Sequence, residues 1–141
     1  MRLRRHAESA FTVATWLSEH PRVGAVLHPA FPGSPGHALW KRDFSGSNGL
    51  LSFELLDPAG KPADPPAAAR VADALVATGR FTLGFSWGGF ESLVMPGALP
   101  DGSSHMARTV HPWMGGTLLR LHIGLEPVGQ LIEALEQALS C

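Results

Sequence analysis

The stretch LLRLHIGLEPVGQLIEALEQAL, Leu118–Leu139, changes its period half-way along. Leu118–Ile123 alternates in the manner of a strand with one buried face. Pro127 is placed as a first helical residue, where its missing N–H costs nothing. From there Val128, Leu131, Ile132, Leu135, Ala138 and Leu139 recur at three and four, which is the apolar stripe of a helix. A strand that turns so quickly into a helix predicts a sheet with helices packed against it.

The other end of the chain supplies a second helix. Over residues 2–19, Leu3, Ala7, Ala10, Phe11, Ala14 and Leu17 form one stripe, and Pro21 follows its end. No capping residue precedes Leu3, so the expectation is a domain that starts within a helix and once had more chain before it. Val23–Leu27 reads as a short strand and His28 to Gly36 as loop. A helical turn is predicted over Ala38–Asp43. Leu50–Leu56 alternates Leu51, Phe53 and Leu55 against Ser52 and Glu54, a half-buried strand. Asp57–Pro65 has the composition of a linker. Pro65 or Pro66 opens a helix that runs to about Thr78 and stops at Gly79. Thr82–Phe85 and Ser92–Met95 are strands on either side of Gly88-Gly89, and Gly97–Gly116 is loop-rich. The fold class is therefore α/β, of the α+β two-layer type: a small, mainly antiparallel sheet with helices on one face. Residues 1–141 suit a single domain.

Composition narrows the function. The 141 residues are 45% hydrophobic and 16% charged, enough apolar material for a core. A net charge of -1 gives no electrostatic case for nucleic acid or for an acidic membrane. No run is as long as a transmembrane helix. The single cysteine, Cys141, allows no intramolecular disulfide, which fits a cytoplasmic setting. His6, His20, His28, His37, His105, His111 and His122 show no paired metal-ligand spacing, and are read as surface or hydrogen-bonded residues.

Gly84-Phe85-Ser86-Trp87-Gly88 matches G-x-S-x-G, the elbow that carries the nucleophile of α/β-hydrolases. Asp101, His105, His111 and His122 follow it, so a Ser86 hydrolase can be written down. It is disfavoured, because an elbow needs a helix directly after the serine to aim N–H groups at an oxyanion. Gly88–Pro96 reads as a turn and a strand. The chain is also short for several parallel βαβ units.

Three segments taken together resemble the Cys/Met-metabolism family of pyridoxal-phosphate enzymes. They are RLRRHAESAFTVATWLSEHPRVGAVLHPAFPGSPGHALWKRDFSGSNGLLSFEL, FTLGFSWGGFESLVMP and LLRLHIGLEPVGQLIEALEQAL. Within the family, S-W-G-G at Ser86–Gly89, R-L-H-I-G at Arg120–Gly124 and W-K-R-D-F at Trp40–Phe44 are similar to the cystathionine β-lyase branch. The resemblance implies the C-terminal domain of an aspartate-aminotransferase-like enzyme, with the large cofactor-binding domain missing. It implies pyridoxal 5'-phosphate in the complete enzyme, a small thioether amino acid as substrate and a homotetrameric assembly. Cleavage of the substrate's Cβ–S bond would give a thiol, pyruvate and ammonia.

The resemblance also implies that Arg120 binds the substrate α-carboxylate. A guanidinium offers a planar two-pronged donor set that matches a carboxylate and fixes its orientation. Ser86 would donate to the same carboxylate and Trp87 would wall the pocket. Gly88 and Gly89 would permit a tight turn. Glu91 and Ser92 are read as structural, and Glu126, next to Pro127, as helix-start chemistry. No catalytic residue is assigned. Lys41 and Lys61 are the two lysines, and neither lies in the serine- and threonine-rich context of the family's cofactor lysine. This chain alone is therefore expected to be inactive. A non-catalytic module that pairs with an intact subunit is the alternative.

Overall fold

A computed structural model of the chain describes residues 1–85, 88–98 and 117–140. Their elements follow in the order α1 (Arg2–Ser18), β1 (Val23–Leu27), α2 (His37–Asp43), β2 (Leu50–Leu55), α3 (Pro65–Ala77), β3 (Thr82–Leu83), β4 (Leu93–Ala98), β5 (Thr117–His122) and α4 (Val128–Leu139). The five strands make one sheet in the order β1-β2-β5-β4-β3. Every neighbouring pair is antiparallel except β3 with β4. The sheet is mainly antiparallel, as expected, and the parallel β3–β4 pair makes it mixed.

The core explains why the helices gather on one side. In β5 the residues Leu119 and Leu121 are fully buried, and the residues opposite them in β2 are Phe53 and Leu51. Val94 of β4 lies opposite Leu121 and is buried as well. These side chains share a core with Ala10, Val13, Ala14 and Leu17 of α1, Val71 and Leu75 of α3, and Leu131 and Leu135 of α4. With successive side chains on opposite faces, burial of Leu119 and Leu121 sends Leu118, Arg120 and His122 to the face away from this core.

Several boundaries differ from the sequence reading, each for a local reason. Pro127 is the residue before α4, not its first residue: its ψ of 121° is extended and the helix begins at Val128. Asp57–Pro65 is an ordered turn instead of a linker. The Asp57 carboxylate accepts from the backbone N–H groups of Ala59 and Lys61, both at 2.9 Å. Gly60 supplies a φ of 77°, and Ala63 N–H returns to the Leu55 carbonyl at 2.9 Å. Asp64 then caps α3 by accepting from Ala67 N–H at 2.8 Å. Gly79, the expected stop, has a φ of 70°.

β3 is only two residues long, shorter than Thr82–Phe85. β4 extends beyond Met95 through Pro96 and Gly97 to Ala98. Because β3 pairs only with Leu93 and Val94, the outer side of β4 carries no strand partner at Pro96 among the described residues. A proline is tolerated there because it has no N–H to donate. Residues 99–116, the remainder of the loop-rich stretch, lie outside the described residues.

Phe53 is fully buried at the centre of the sheet's covered face. Replacing it by alanine is expected to cost about 3–5 kcal/mol, through lost transfer energy and the cavity left behind. Urea denaturation checks this, as a fall in midpoint at unchanged slope. A cost within about 0.5 kcal/mol of zero, the range of surface substitutions, would contradict this packing.

Candidate functional site

The site candidate is the face of β5 turned away from the leucine core. Arg120 sits opposite Ser52 of β2 on one side and Met95 of β4 on the other. Its guanidinium donates to the Phe85 carbonyl at 2.6 Å. A planar fork held at one nitrogen has its remaining donors pre-aimed, which lowers the entropy lost when a carboxylate is captured. Leu83, Phe85 and Phe90, near this end of the sheet in sequence, are exposed apolar side chains.

The chain that flanks Arg120 is tied down by a relay of hydrogen bonds. Ser92, itself buried, donates from its backbone N–H and its hydroxyl to the two oxygens of Glu126, at 2.7 and 2.9 Å. The Ser92 hydroxyl oxygen accepts from Gly124 N–H at 2.8 Å, and Leu125 N–H donates to the Phe90 carbonyl at 2.8 Å. A side chain at Gly124 would collide with the Phe90 carbonyl and the Glu126 carboxylate. The close approach is therefore reserved for glycine. Glu126 is thus not helix-start chemistry. Its carboxylate is committed across 34 residues to Ser92, which is structural as expected.

His122 lies two residues beyond Arg120 on the same face. It is buried, and its Nε2 donates to the Gly89 carbonyl at 3.2 Å. Its ring is 5.2 Å from that of His6 on α1, and His6 Nδ1 donates to the Ile123 carbonyl at 2.8 Å. Burial holds the His122 imidazole below its ordinary pKa of 6.5; the bond to Gly89 opposes this, the charge on His6 adds to it, and Glu126 opposes it. His28 is also held low, by burial inside the fold. The hydrogen-bonded reading fits His6, His20, His28, His37 and His122. The approach of His6 to His122 was not legible, since 116 positions separate them and only the tertiary fold brings them together.

A cavity of about 530 Å³ opens beside these histidines, lined by Leu3, His6, Phe44, Asn48, Leu50, Gly88 and His122 among others. Arg120 does not line it. Ser86 and Trp87, read as partners of Arg120, lie outside the described residues, as do Asp101, His105 and His111. Gly88 leads through residues 89–92 into β4, so the element after the G-x-S-x-G motif is a strand and not the helix that a hydrolase elbow requires. Among the described residues, no three or more His, Cys, Asp or Glu gather as metal ligands. No helix among them is long and apolar enough to cross a membrane.

This geometry belongs with a known class of enzymes. The profile of the Cys/Met metabolism PLP-dependent enzymes matches residues 1–140, and the chain belongs to that family. It is 45% identical to a cystathionine beta-lyase of Escherichia coli over 140 residues, covering 96% of this chain and 32% of that protein. It is 46% identical to a cystathionine beta-lyase of Bordetella avium over 144 residues, covering 99% and 32%. The solved cystathione gamma lyase of Micromonospora echinospora superposes with a TM-score of 0.77 at 34% identity, covering 99% of this chain and 34% of that one. The chain thus spans about a third of the length of the curated relatives it matches.

Pyridoxal 5'-phosphate is the family's cofactor, and the described residues do not fit it by themselves. Lys41 and Lys61 are both exposed, and neither lines the cavity beside His122. Among the described residues, the face around Arg120 offers a guanidinium but no lysine amine to carry the cofactor. Incubating the chain with pyridoxal phosphate and then borohydride is expected to leave no saturable adduct at any one lysine, as read by mass spectrometry. A stoichiometric pyridoxyl group on Lys41 or Lys61 would overturn this assignment.

Proposed function

We propose that this chain forms the substrate-carboxylate side of a PLP-dependent carbon–sulfur β-lyase, as the C-terminal domain of such an enzyme. Arg120 is the group that binds the α-carboxylate, with Ser86 and Trp87 beside it. The observation that carries the reading is the Arg120 guanidinium, held on the Phe85 carbonyl on the face of the sheet that the helices leave open. In a complete enzyme the cofactor and its lysine would come from chain outside these residues. The reaction would consume water and break the Cβ–S bond of cystathionine or a related thioether, giving a thiol, pyruvate and ammonia.

Two further observations support the lyase reading. The relatives of Escherichia coli and Bordetella avium, at 45% and 46% identity, are both named cystathionine beta-lyases. The exposed apolar side chains Leu83, Phe85 and Phe90 suit a surface that packs against a further domain. The role of this chain in the chemistry is binding and orientation. Two donors on one carboxylate fix both the position and the rotation of the amino acid, which is where a well-placed arginine contributes to rate.

A graft tests the proposal. This chain replaces the matching third of the Escherichia coli cystathionine beta-lyase, and turnover of cystathionine is compared with that of the Arg120→Lys graft. Lysine keeps the charge and loses the fork. A fall of about 30-fold or more in kcat/KM is expected for the lysine variant, matching about 2 kcal/mol or more for a charge-assisted pair. The loss should appear in kcat as well as in KM, because the lost fork also orients the substrate. Equal kcat/KM for the two grafts would reject Arg120 as the carboxylate group.

A further inference from the structure

The segment that leads from α2 into β2 is a wall between two cavities, and Phe44, Gly46, Ser47 and Asn48 line both. It carries the single asparagine of the chain, Asn48, followed by Gly49. Asn48 is exposed and Gly49 is buried. The fold itself demands the glycine. A Cβ at position 49 would lie 2.6 Å from the Ile123 carbonyl and 3.2 Å from the His122 ring. The close approach therefore keeps larger residues out. It has a second effect, since no side chain at position 49 shields the Gly49 nitrogen from the amide of Asn48.

The hydrogen bonds around this pair fall on the atoms that can react. Asn48 Oδ1 accepts from Leu50 N–H at 2.8 Å, the turn in which an asparagine bonds its own backbone two residues on. That donor draws charge from the side-chain carbonyl and makes Cγ the better electrophile. It is also in place for the negative charge that develops on Oδ1 when a nucleophile adds to Cγ. His28 Nε2 donates at 3.4 Å to the Asn48 backbone carbonyl, which belongs to the peptide bond with Gly49. Charge drawn to that oxygen makes the Gly49 N–H easier to deprotonate. The Gly49 carbonyl accepts from Ile123 N–H at 2.8 Å, while the Gly49 N–H has no hydrogen-bond partner among the described residues.

We propose that Asn48-Gly49 is a site of spontaneous modification in the folded chain, where the Asn48 amide is lost and a carboxylate is left. Hydroxide takes the proton of the Gly49 nitrogen, and that nitrogen bonds to Asn48 Cγ. The Cγ–Nδ2 bond then breaks, and Nδ2 leaves as ammonia with a proton from water, which regenerates the hydroxide. The product is a cyclic imide. Water adds to one of its two carbonyls and reopens the ring. Cleavage between Cγ and the Gly49 nitrogen gives aspartate in the original chain. Cleavage between the backbone carbonyl carbon and that nitrogen gives isoaspartate, whose main chain runs through Cβ and Cγ. Either product puts a carboxylate on a wall where residues 44–50 otherwise bring no ionisable side chain. Isoaspartate also lengthens the main chain by one carbon just before β2. None of this depends on the role of Arg120.

The test is a time course in mildly alkaline buffer, read by the mass of the intact chain and then by fragmentation of the peptide that carries Asn48. The folded chain is expected to gain about one mass unit at position 48, an –NH2 exchanged for an –OH. The gain should come at least as fast as in the chain unfolded with guanidinium chloride, because the bonds to Oδ1 and to the Asn48 carbonyl belong to the folded state. Raising the pH should speed it. Asn48→Gln keeps an amide but must close a larger ring, and should hold its mass throughout. The proposal is overturned if the folded chain keeps its Asn48 amide while the unfolded chain loses it. It is equally overturned if Asn48→Gln gains mass at the same rate as the unmodified chain.

Discussion

Everything at this site depends on the two-residue period of β5. Leu119 and Leu121 are buried against β2, β4 and the helices, and that burial fixes the register of the central strand. A slip by one residue would put Arg120 and His122 into an apolar core and the leucines into solvent. The cost of burying a guanidinium there exceeds anything the strand's hydrogen bonds could recover. The same leucines that hold the fold together thus place the two polar groups on the sheet's other face, where His122 is itself covered.

The second constraint is the relay from Ser92 through Glu126 and Gly124. It joins the chain entering β4 to the chain leaving β5, at the end of the sheet where Arg120 and His122 emerge. A carboxylate that accepts two hydrogen bonds from one residue fixes distance and orientation together. A glycine at position 124 permits the approach. The relay thus fixes the chain before β4 against the chain after β5 at one end of the sheet.

Much of this was legible in the sequence, because its main signals are local. The period of two in Leu51-Phe53-Leu55 and the period near 3.6 in Val128–Leu139 each report a buried face, and both elements formed where expected. Gly79 marked the end of α3 because few other residues adopt its backbone angle. The errors came where composition stood in for mechanism. Asp57–Pro65 has the residues of a linker, yet Asp57 and Gly60 supply a specific turn. Glu126 sits where a helix-capping acid would sit, but its partner is 34 residues away. Arg120 could be singled out only through its motif, since an arginine on a strand is by itself unremarkable. The contact of His122 with His6 depends on tertiary packing that no local pattern encodes.

The chain belongs to the Cys/Met metabolism PLP-dependent enzymes, and its sheet has one face filled by helices and carries Arg120, bonded to the Phe85 carbonyl, on the other. The most direct measurement is an NMR titration of the Arg120 Nε–H with L-cystathionine. A saturable shift is expected, confined to Arg120 and its sheet neighbours Ser52 and Met95, and abolished in Arg120→Ala. A shift that persists in that variant, or one centred on another part of the molecule, would contradict the account.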